Sequence, residues 1–309
     1  MTTYLFPGQG SQFPGMGREL AAFGADARSL VDAAEAATGL PVHELMHRAD
    51  ATRIADPYTA QVLVFVWSTV AMHELHTRGR CPAAVAGHSL GEYTALVACG
   101  ALDWADALIL VSARGRAMAA AAARHPGAMG AVVGLPAAAV RDLCADASGG
   151  DEIAVVANLN SARQCVVSGT VTAVTAVLAA ATAAGALRAK RLPVGGAYHS
   201  PLMRPAEDAL APLLRATTLR PPRVPMVSSL TGAPVTDLAA YADSLTRQIT
   251  SPVQWLGATT TLAGETDFVE VGPGRVLAGL GRETLRGARF RGVLETVRPA
   301  RVAAGVGVS

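Results

Sequence analysis

Two rhythms of apolar and polar positions alternate in the N-terminal part of this chain. Residues 4–6 form a short apolar run before a Pro-Gly-Gln-Gly turn, and residues 83–86 form another before Gly87-His88-Ser89-Leu90-Gly91. Residues 59–75 and 104–122 carry the longer patterns of helices, the first of them apolar enough to be buried. Strands that alternate with helices are typical of a parallel sheet covered by helices. The pattern therefore predicts an α/β fold.

The elements become shorter between residues 126 and 193. There the pattern predicts strands and helices in the order βαββαβ, at 130–135, 137–145, 152–157, 164–168, 171–184 and 187–192. This order is that of the ferredoxin-like arrangement. We therefore predict a small ferredoxin-like subdomain over 126–193, inserted into a large α/β domain made of 1–125 and 194–298. The tail 299–309 is expected to be mobile, and the insertion is expected to create a cleft.

Composition limits the classes of function. The chain has 309 residues, of which 51% are hydrophobic and 16% charged, so it can bury a large core. Its formal net charge of +2 gives no electrostatic support for nucleic-acid binding. No segment reaches the roughly 18 apolar residues of a membrane span, and the N-terminus lacks the features of a signal peptide. We therefore expect no membrane contact, a cytoplasmic location and a monomer.

The cysteines argue against a metal site or a disulfide framework. They are scattered, without CxxC pairs or metal-like spacing to histidine, at Cys81, Cys99, Cys144 and Cys165. They are interpreted as small core residues in a reducing compartment. No metal ion and no bound cofactor is predicted.

Ser89 is the first candidate for chemistry. It lies in a GxSxG motif between a predicted strand and a predicted helix, which is the context of a nucleophile elbow. The N–H of Leu90, in the first turn of that helix, lacks an acceptor within the helix and could stabilise an oxyanion. An ordinary strand-to-helix turn is the alternative interpretation.

A serine nucleophile needs a base, and the histidines leave one by elimination. The seven are His43, His47, His73, His76, His88, His125 and His199. The first four lie on helical faces, the His88 side chain should point away from the adjacent Ser89, and His125 precedes the predicted subdomain. His199 lies in a Gly-Gly-Ala-Tyr-His-Ser-Pro loop where the chain returns to the large domain. We therefore favour His199 as the base.

No carboxylate stands out as a third member beside His199. Glu92 is close to Ser89 in sequence but is expected to face along its helix, and Glu207 and Asp208 are expected to face solvent. An amide or a main-chain carbonyl can orient an imidazole instead, because that role needs only an acceptor. Gln248 is a candidate, although alone it resembles an exposed helical glutamine.

Arg114 lies within an otherwise apolar helical stretch, where a buried guanidinium must find an acceptor. It could pair with a structural carboxylate or bind a substrate carboxylate through two hydrogen bonds. The residues alone leave both roles open.

Together these motifs resemble those of the malonyl-CoA:acyl carrier protein transacylase family, which includes the acyltransferase domains of polyketide and fatty-acid synthases. The resemblance covers nearly the whole chain: Phe6-Pro7-Gly8-Gln9-Gly10-Ser11-Gln12, the GHSLGEY run at 87–93, Arg114-Gly115 with Met118, His199-Ser200-Pro201-Leu202-Met203, Gln248 with Pro252-Val253 and Trp255, and Glu270-Val271-Gly272-Pro273-Gly274.

The resemblance implies a hydrolase-like α/β domain with a ferredoxin-like insertion, and it assigns roles. Ser89 would carry the acyl group with His199 as its base, and the main-chain amides of Gln9 and Leu90 would form the oxyanion hole. Gln248 matches the residue that orients the histidine through a carbonyl. Arg114 matches the arginine that binds the free carboxylate of malonyl. Malonyl-CoA would be the donor, and the phosphopantetheine thiol of an acyl carrier protein the acceptor.

Selectivity and alternatives complete the interpretation. The bulky Tyr198 before the histidine, with Leu90 after the serine, resembles members specific for malonyl rather than methylmalonyl units. Because related members commonly carry phenylalanine there, a transferase for a substituted malonyl unit is one alternative. A serine hydrolase or carrier-protein thioesterase would share Ser89 and His199 without needing Arg114. A noncatalytic scaffold that binds the carrier would form no acyl-serine.

Overall fold

The structure of this chain is a computed structural model that describes residues 1–24 and 26–297. The strands of its larger sheet are β1 (Thr3–Phe6), β2 (Ala84–Gly87), β7 (Met226–Val227), β8 (Asp267–Glu270) and β9 (Arg289–Gly292). They are parallel throughout, in the order β7-β2-β1-β8-β9. The predicted α/β fold is confirmed.

Helices cover this sheet and carry most of the apolar core. They are α1 (Asp26–Thr38), α2 (Val42–Arg48), α3 (Pro57–Thr77), α4 (Gly91–Ala98), α5 (Trp104–Arg124), α8 (Arg204–Ala216), α9 (Leu238–Arg247), α10 (Trp255–Thr261), α11 (Val276–Thr284) and α12 (Val293–Val297). The long apolar α3 begins at a capping residue, because the Asp56 carboxylate accepts the Thr59 N–H at 2.9 Å.

Successive side chains of β1 enter two separate cores. Tyr4 and Phe6 belong to a core that also contains Trp67 of α3, whereas Leu5 belongs to a second core with Trp255 of α10. This alternation is what a strand buried on both faces requires. Helices α10 and α11 therefore cover one face of the sheet, while α3, α4 and α5 lie over the other.

A smaller antiparallel sheet follows α5. Its strands are β3 (Gly127–Val133), β4 (Ala154–Ser161), β5 (Gln164–Thr170) and β6 (Arg188–Arg191), with α6 (Ala137–Asp146) and α7 (Val171–Ala183) between them. The order β4-β5-β3-β6 is that of a ferredoxin-like arrangement, which confirms the predicted βαββαβ unit. Strand β3 starts earlier than predicted, because its pairing with β5 extends to Gly127 opposite Thr170. The limits 126 and 193 stay a prediction, and the tail 299–309 lies outside the described residues.

Main-chain hydrogen bonds join the small sheet to the large part of the molecule. The Val253 N–H donates to the Ala157 carbonyl at 2.8 Å, and the Leu159 N–H donates to the Val253 carbonyl at 2.8 Å. The two parts form the walls of a cleft of about 730 Å³. The cleft expected from the insertion is therefore present.

The structure adds two observations on membranes and metals. In the part of the chain that it describes, no helix combines the length and apolarity needed to cross a membrane. Within the same residues no three His, Cys, Asp or Glu side chains are grouped as metal ligands. The four cysteines are free: Cys99, Cys144 and Cys165 are buried, as expected, but Cys81 is exposed because it lies in the loop before β2.

Candidate active site

The serine of the GxSxG motif lies at the sharp turn between β2 and α4. Ser89 has a φ of 53°, in the left-handed region that residues other than glycine seldom adopt. Its N–H donates to Ser229 Oγ at 3.2 Å. Close packing also fixes the turn, because a Cβ at Gly91 would lie 2.0 Å from the Phe6 carbonyl oxygen. The local geometry is that of the predicted elbow.

His199 lies against this serine. It is the other non-glycine residue with a positive φ in the described chain, at 58°. Its Nε2 lies 2.8 Å from Ser89 Oγ, and its Nδ1 lies 3.0 Å from the main-chain carbonyl oxygens of both Gln248 and Ser251. Two carbonyl acceptors place the proton on Nδ1 and leave Nε2 to accept the proton of the serine hydroxyl.

Burial sets the charge of this imidazole. Removal of the ring from water, followed by the nearby charge of Arg114, lowers the pKa of His199 from 6.5 to about 3. The contacts of Nδ1 with the two carbonyl groups oppose this shift without reversing it. His199 is therefore neutral near pH 7, which is the form that a general base needs.

Arg114, on α5, is the third polar group at the serine and is only 1% exposed. Its Nη2 donates to Ser89 Oγ at 2.9 Å and to Gln248 Oε1 at 3.1 Å, while Nη1 donates to Gln61 Oε1 at 2.7 Å. All three acceptors are neutral. In the described residues no acidic side chain forms a salt bridge with this guanidinium, so its positive charge faces the serine without an ionic partner.

Gln248 is buried, at 1% exposure, rather than an exposed helical residue. Besides the carbonyl that holds His199, its side-chain Nε2 donates to Glu92 Oε2 at 2.7 Å and to the Ser89 carbonyl at 3.2 Å. The expectation that Glu92 merely faces along its helix is wrong. The first turn of α4 is covered by the segments around Ser229 and Gln248, and both segments donate hydrogen bonds to the Glu92 carboxylate.

Two main-chain amides adjoin the serine from neighbouring turns. Strands β1 and β2 end side by side, and a Cβ at Gly8 would lie 2.6 Å from the His88 carbonyl oxygen. Among the described residues, neither the Gln9 amide nor the Leu90 amide has a hydrogen-bond acceptor. Both N–H groups are therefore unoccupied, as the predicted oxyanion hole requires.

The two residues considered for selectivity occupy different places. Tyr198 lines the cleft, and its phenol hydroxyl makes no hydrogen bond of ordinary geometry with a described residue, although the Gln9 side chain is its polar neighbour. Burial raises the pKa of Tyr198 to about 12, so the phenol is neutral. The Leu90 side chain is fully buried in the core that contains Trp67 and does not line the cleft.

Most other histidines lie away from Ser89, as expected. His43, His47 and His73 are on helix surfaces, and His125 is exposed at the end of α5. His88 points away from the serine, as expected, and makes a contact of its own: its Nε2 lies 3.0 Å from Asn160 Oδ1 on β4. This contact crosses from the elbow to the small sheet.

Glu207 differs from its expected exposure. It is buried, and its carboxylate accepts hydrogen bonds from Arg204 and from the Thr250 hydroxyl, because α8 packs against the segment that contains Gln248. Asp208 is exposed, as expected.

Two side-chain amides near the site, one buried beside Arg114 and one in the cleft wall, were not among the predicted residues. Gln61 of α3 is fully buried, and its Nε2 donates to Gln9 Oε1 at 3.2 Å while its Oε1 accepts from Arg114. An amide inside an otherwise apolar helix was a signal for it. Asn160, the partner of His88, gave no such signal because its contact spans two separate sheets.

A serine with a strained backbone, hydrogen-bonded to a neutral histidine and close to main-chain N–H groups without acceptors, is typical of enzymes that carry an acyl group on serine. The chain belongs to the family described as acyl transferase domain, which matches residues 3–307. It is 37% identical over 285 residues to the malonyl CoA-acyl carrier protein transacylase of Bacillus subtilis, covering 92% of this chain and 90% of that protein.

Solved structures agree with this assignment. The malonyl CoA-acyl carrier protein transacylase of Coxiella burnetii superposes with a TM-score of 0.91 at 32% identity, over 96% of each chain. A malonyl-transacylase solved in complex with a type II PKS acyl-carrier protein gives a TM-score of 0.89 at 31% identity, over 96% of this chain and 98% of that one. The resemblance found in the motifs is therefore confirmed.

Proposed function

We propose that this chain transfers a malonyl group from malonyl-CoA to the phosphopantetheine thiol of an acyl carrier protein through an ester on Ser89. The relatives named above support the donor and the acceptor. No resident cofactor enters the proposal. The cytoplasmic location and the monomeric state stay predictions from the sequence.

In the first half-reaction, the Ser89 hydroxyl attacks the thioester carbonyl carbon of malonyl-CoA. His199 Nε2, 2.8 Å from Oγ, takes the hydroxyl proton as the new C–O bond forms. The resulting oxyanion accepts hydrogen bonds from the Gln9 and Leu90 amides. Breaking the C–S bond then expels the thiolate of coenzyme A, which takes the proton back from His199.

The second half-reaction reverses these roles with a new thiol. The phosphopantetheine thiol gives its proton to His199 and attacks the ester carbon, and Ser89 leaves as its hydroxyl after taking that proton. Because His199 is neutral before each step, it can act as a base twice without a change of solution pH. The cleft must restrict water, since hydrolysis of the ester would compete with transfer.

The contact between Arg114 and Ser89 is the observation that carries the choice of malonyl. The buried guanidinium donates to Ser89 Oγ and has only neutral partners. Of its five N–H donors, three are used, one each by Gln61, Gln248 and Ser89. The donor on Ser89 is released when that oxygen becomes an ester. A free carboxylate on the acyl group can then take hydrogen bonds from both terminal nitrogens, as in other arginine–carboxylate pairs.

Tyr198 bears on which malonyl unit is accepted. Its bulk in the cleft wall supports unsubstituted malonyl over methylmalonyl. Its hydroxyl, which lacks a hydrogen-bond partner in the described residues, keeps a polar substituted malonyl as the alternative.

Intact-mass measurement tests the proposal directly. The purified protein is incubated separately with malonyl-CoA, methylmalonyl-CoA and acetyl-CoA, with and without a phosphopantetheinylated carrier protein. We expect rapid malonyl-serine formation that persists until the carrier is added, and no adduct in the Ser89→Ala variant. Release of free malonate at a comparable rate without a carrier would identify a hydrolase instead, and absence of any adduct would identify a noncatalytic protein.

A further inference from the structure

Glu92 is a buried acid to which the mechanism above assigns no role. It lies three residues after Ser89, in the first turn of α4, and is 0% exposed. Its Oε1 accepts the Ser229 N–H, and its Oε2 accepts Gln248 Nε2 at 2.7 Å and, more weakly, the Tyr241 hydroxyl at 3.3 Å. Both carboxylate oxygens are thus acceptors of fixed donors. Burial raises the pKa of Glu92, and the hydrogen bonds from Ser229 and Gln248 oppose that shift.

The bond from Gln248 determines which way that side-chain amide points. With Nε2 held by Glu92, Gln248 presents its Oε1 to Arg114 Nη2 at 3.1 Å. A reversed amide would place an NH₂ group against the guanidinium, which has donors only. The carboxylate of Glu92 therefore acts on Arg114 through one intervening amide.

We propose that Glu92 is a positioning residue for the acyl carboxylate: it fixes the Gln248 amide, which in turn holds Arg114 directed at Ser89. This inference rests on the proposed function, because it concerns how Arg114 recognises malonyl. Glu92 acts on Arg114 only through the intervening Gln248 amide, so the terminal nitrogens of Arg114 keep donors available to substrate.

The arrangement separates Glu92 from a carboxylate that would bind Arg114 directly. A direct ion pair would occupy the same terminal N–H groups that a malonyl carboxylate needs. An interposed neutral amide occupies one donor of Nη2 and leaves the charge unneutralised. The chemical class that this geometry favours is an acyl group with a free carboxylate, and Glu92 contributes to that preference without touching the acyl group.

The test is the conservative variant Glu92→Gln. An amide at this position has a single acceptor oxygen, so either the Ser229 N–H or Gln248 Nε2 must face an NH₂ group. We expect the KM for malonyl-CoA in the loading step to rise about tenfold with a smaller change in kcat, while the kcat/KM for acetyl-CoA changes less than about twofold. If Glu92 had a purely structural role, the kcat/KM for malonyl-CoA and the kcat/KM for acetyl-CoA would fall together.

Glu270 offers a matched control. It is 1% exposed, and its two oxygens accept the Leu277 and Ala278 N–H groups at 3.1 and 2.8 Å, away from Arg114. Glu270→Gln should lower the unfolding temperature about as much as Glu92→Gln does. It should leave the malonyl-to-acetyl ratio of kcat/KM as in the wild type. If both variants lower that ratio equally, the role assigned to Glu92 is wrong.

A second variant decides the matter if Glu92→Gln does not fold. Gln248→Met removes the amide but keeps the main-chain carbonyl that holds His199, and it should reproduce the raised malonyl KM. A wild-type ratio in this variant would overturn the inference. Failure of the wild-type protein to form malonyl-serine would overturn the proposed function itself, whereas a wild type that loads malonyl and a Glu92→Gln variant with an unchanged ratio would overturn only the role of Glu92.

Discussion

The two sides of Ser89 Oγ are built on different principles. On one side, His199 is held by main-chain carbonyls and is neutral. Like Ser89, it has a positive φ angle. On the other side, Arg114 is held by side-chain amides and is charged. The first side contains what every acyl transfer through serine requires, and the second contains a feature that only some acyl groups can use.

The difference separates catalysis from selection. A proton acceptor fixed by the main chain keeps its position whatever acyl group enters. A guanidinium fixed by amide side chains gives its full binding energy only to an acyl group with a carboxylate. A substitution on the histidine side should therefore slow loading with every acyl donor. A substitution on the arginine side should slow loading mainly with donors that carry a free carboxylate.

The largest effect is expected on the histidine side, for all donors alike. His199→Ala removes the group that takes the serine proton, so the loading rate should fall about 10³-fold with malonyl-CoA and with acetyl-CoA. Single-turnover mass spectrometry measures both rates, and the exposed His125→Ala serves as the control. A loss confined to malonyl would contradict the division between the two sides.

A smaller and selective effect is expected on the arginine side. Arg114→Ala removes a charged donor pair, so kcat/KM for malonyl-CoA should fall about 100-fold, while that for acetyl-CoA stays within a few fold. Steady-state kinetics with both donors measures the ratio. An equal fall for acetyl-CoA would show that Arg114 serves the serine itself rather than the acyl carboxylate.

The pH dependence of loading sharpens the comparison further. A histidine with its ordinary pKa of about 6.5 would lose about 30-fold in its neutral form at pH 5. Because burial lowers the pKa of His199 to about 3, protonation begins only far below that pH. The kcat/KM for acetyl-CoA, whose acyl group has no free carboxylate, should change less than about twofold between pH 8 and pH 5. A fall centred near pH 6.5 would show that the imidazole is better solvated than its burial indicates.

The smallest effect concerns the cleft wall. Tyr198→Phe removes a buried hydroxyl that has no partner in the described residues, so the free energy of unfolding should rise by about 1 kcal/mol. Malonyl loading should be unchanged. Denaturant titration and loading kinetics measure the two quantities, and a fall in loading would show that the hydroxyl binds the acyl group.

Local motifs were enough to predict Ser89 and His199, but not both of the main-chain carbonyls that hold the imidazole. Ser89 lies in a glycine-rich turn between a strand and a helix, and His199 follows a glycine pair in a loop. Each position can be recognised from a few residues of sequence. The ferredoxin-like unit could be predicted in the same way, because its short strands and helices follow one another within a short segment.

The arginine side was only partly predictable. Arg114 was conspicuous as a charge in an apolar helix, but its partners depend on how α3, α4 and the segment around Gln248 pack together. Glu92 was misjudged because a helix pattern does not reveal which neighbouring segment covers its first turn. Long-range packing, rather than local preference, decides such contacts.

The contact between Gly91 and the Phe6 carbonyl also restricts how such a gene can evolve. Any larger side chain at position 91 would meet main-chain atoms 2.0 Å away, which no rotamer change can relieve. Position 198, in contrast, lines the cleft with a largely buried side chain. Descendants of this gene that acquire a new acyl group should therefore keep the elbow glycine and vary residue 198 first.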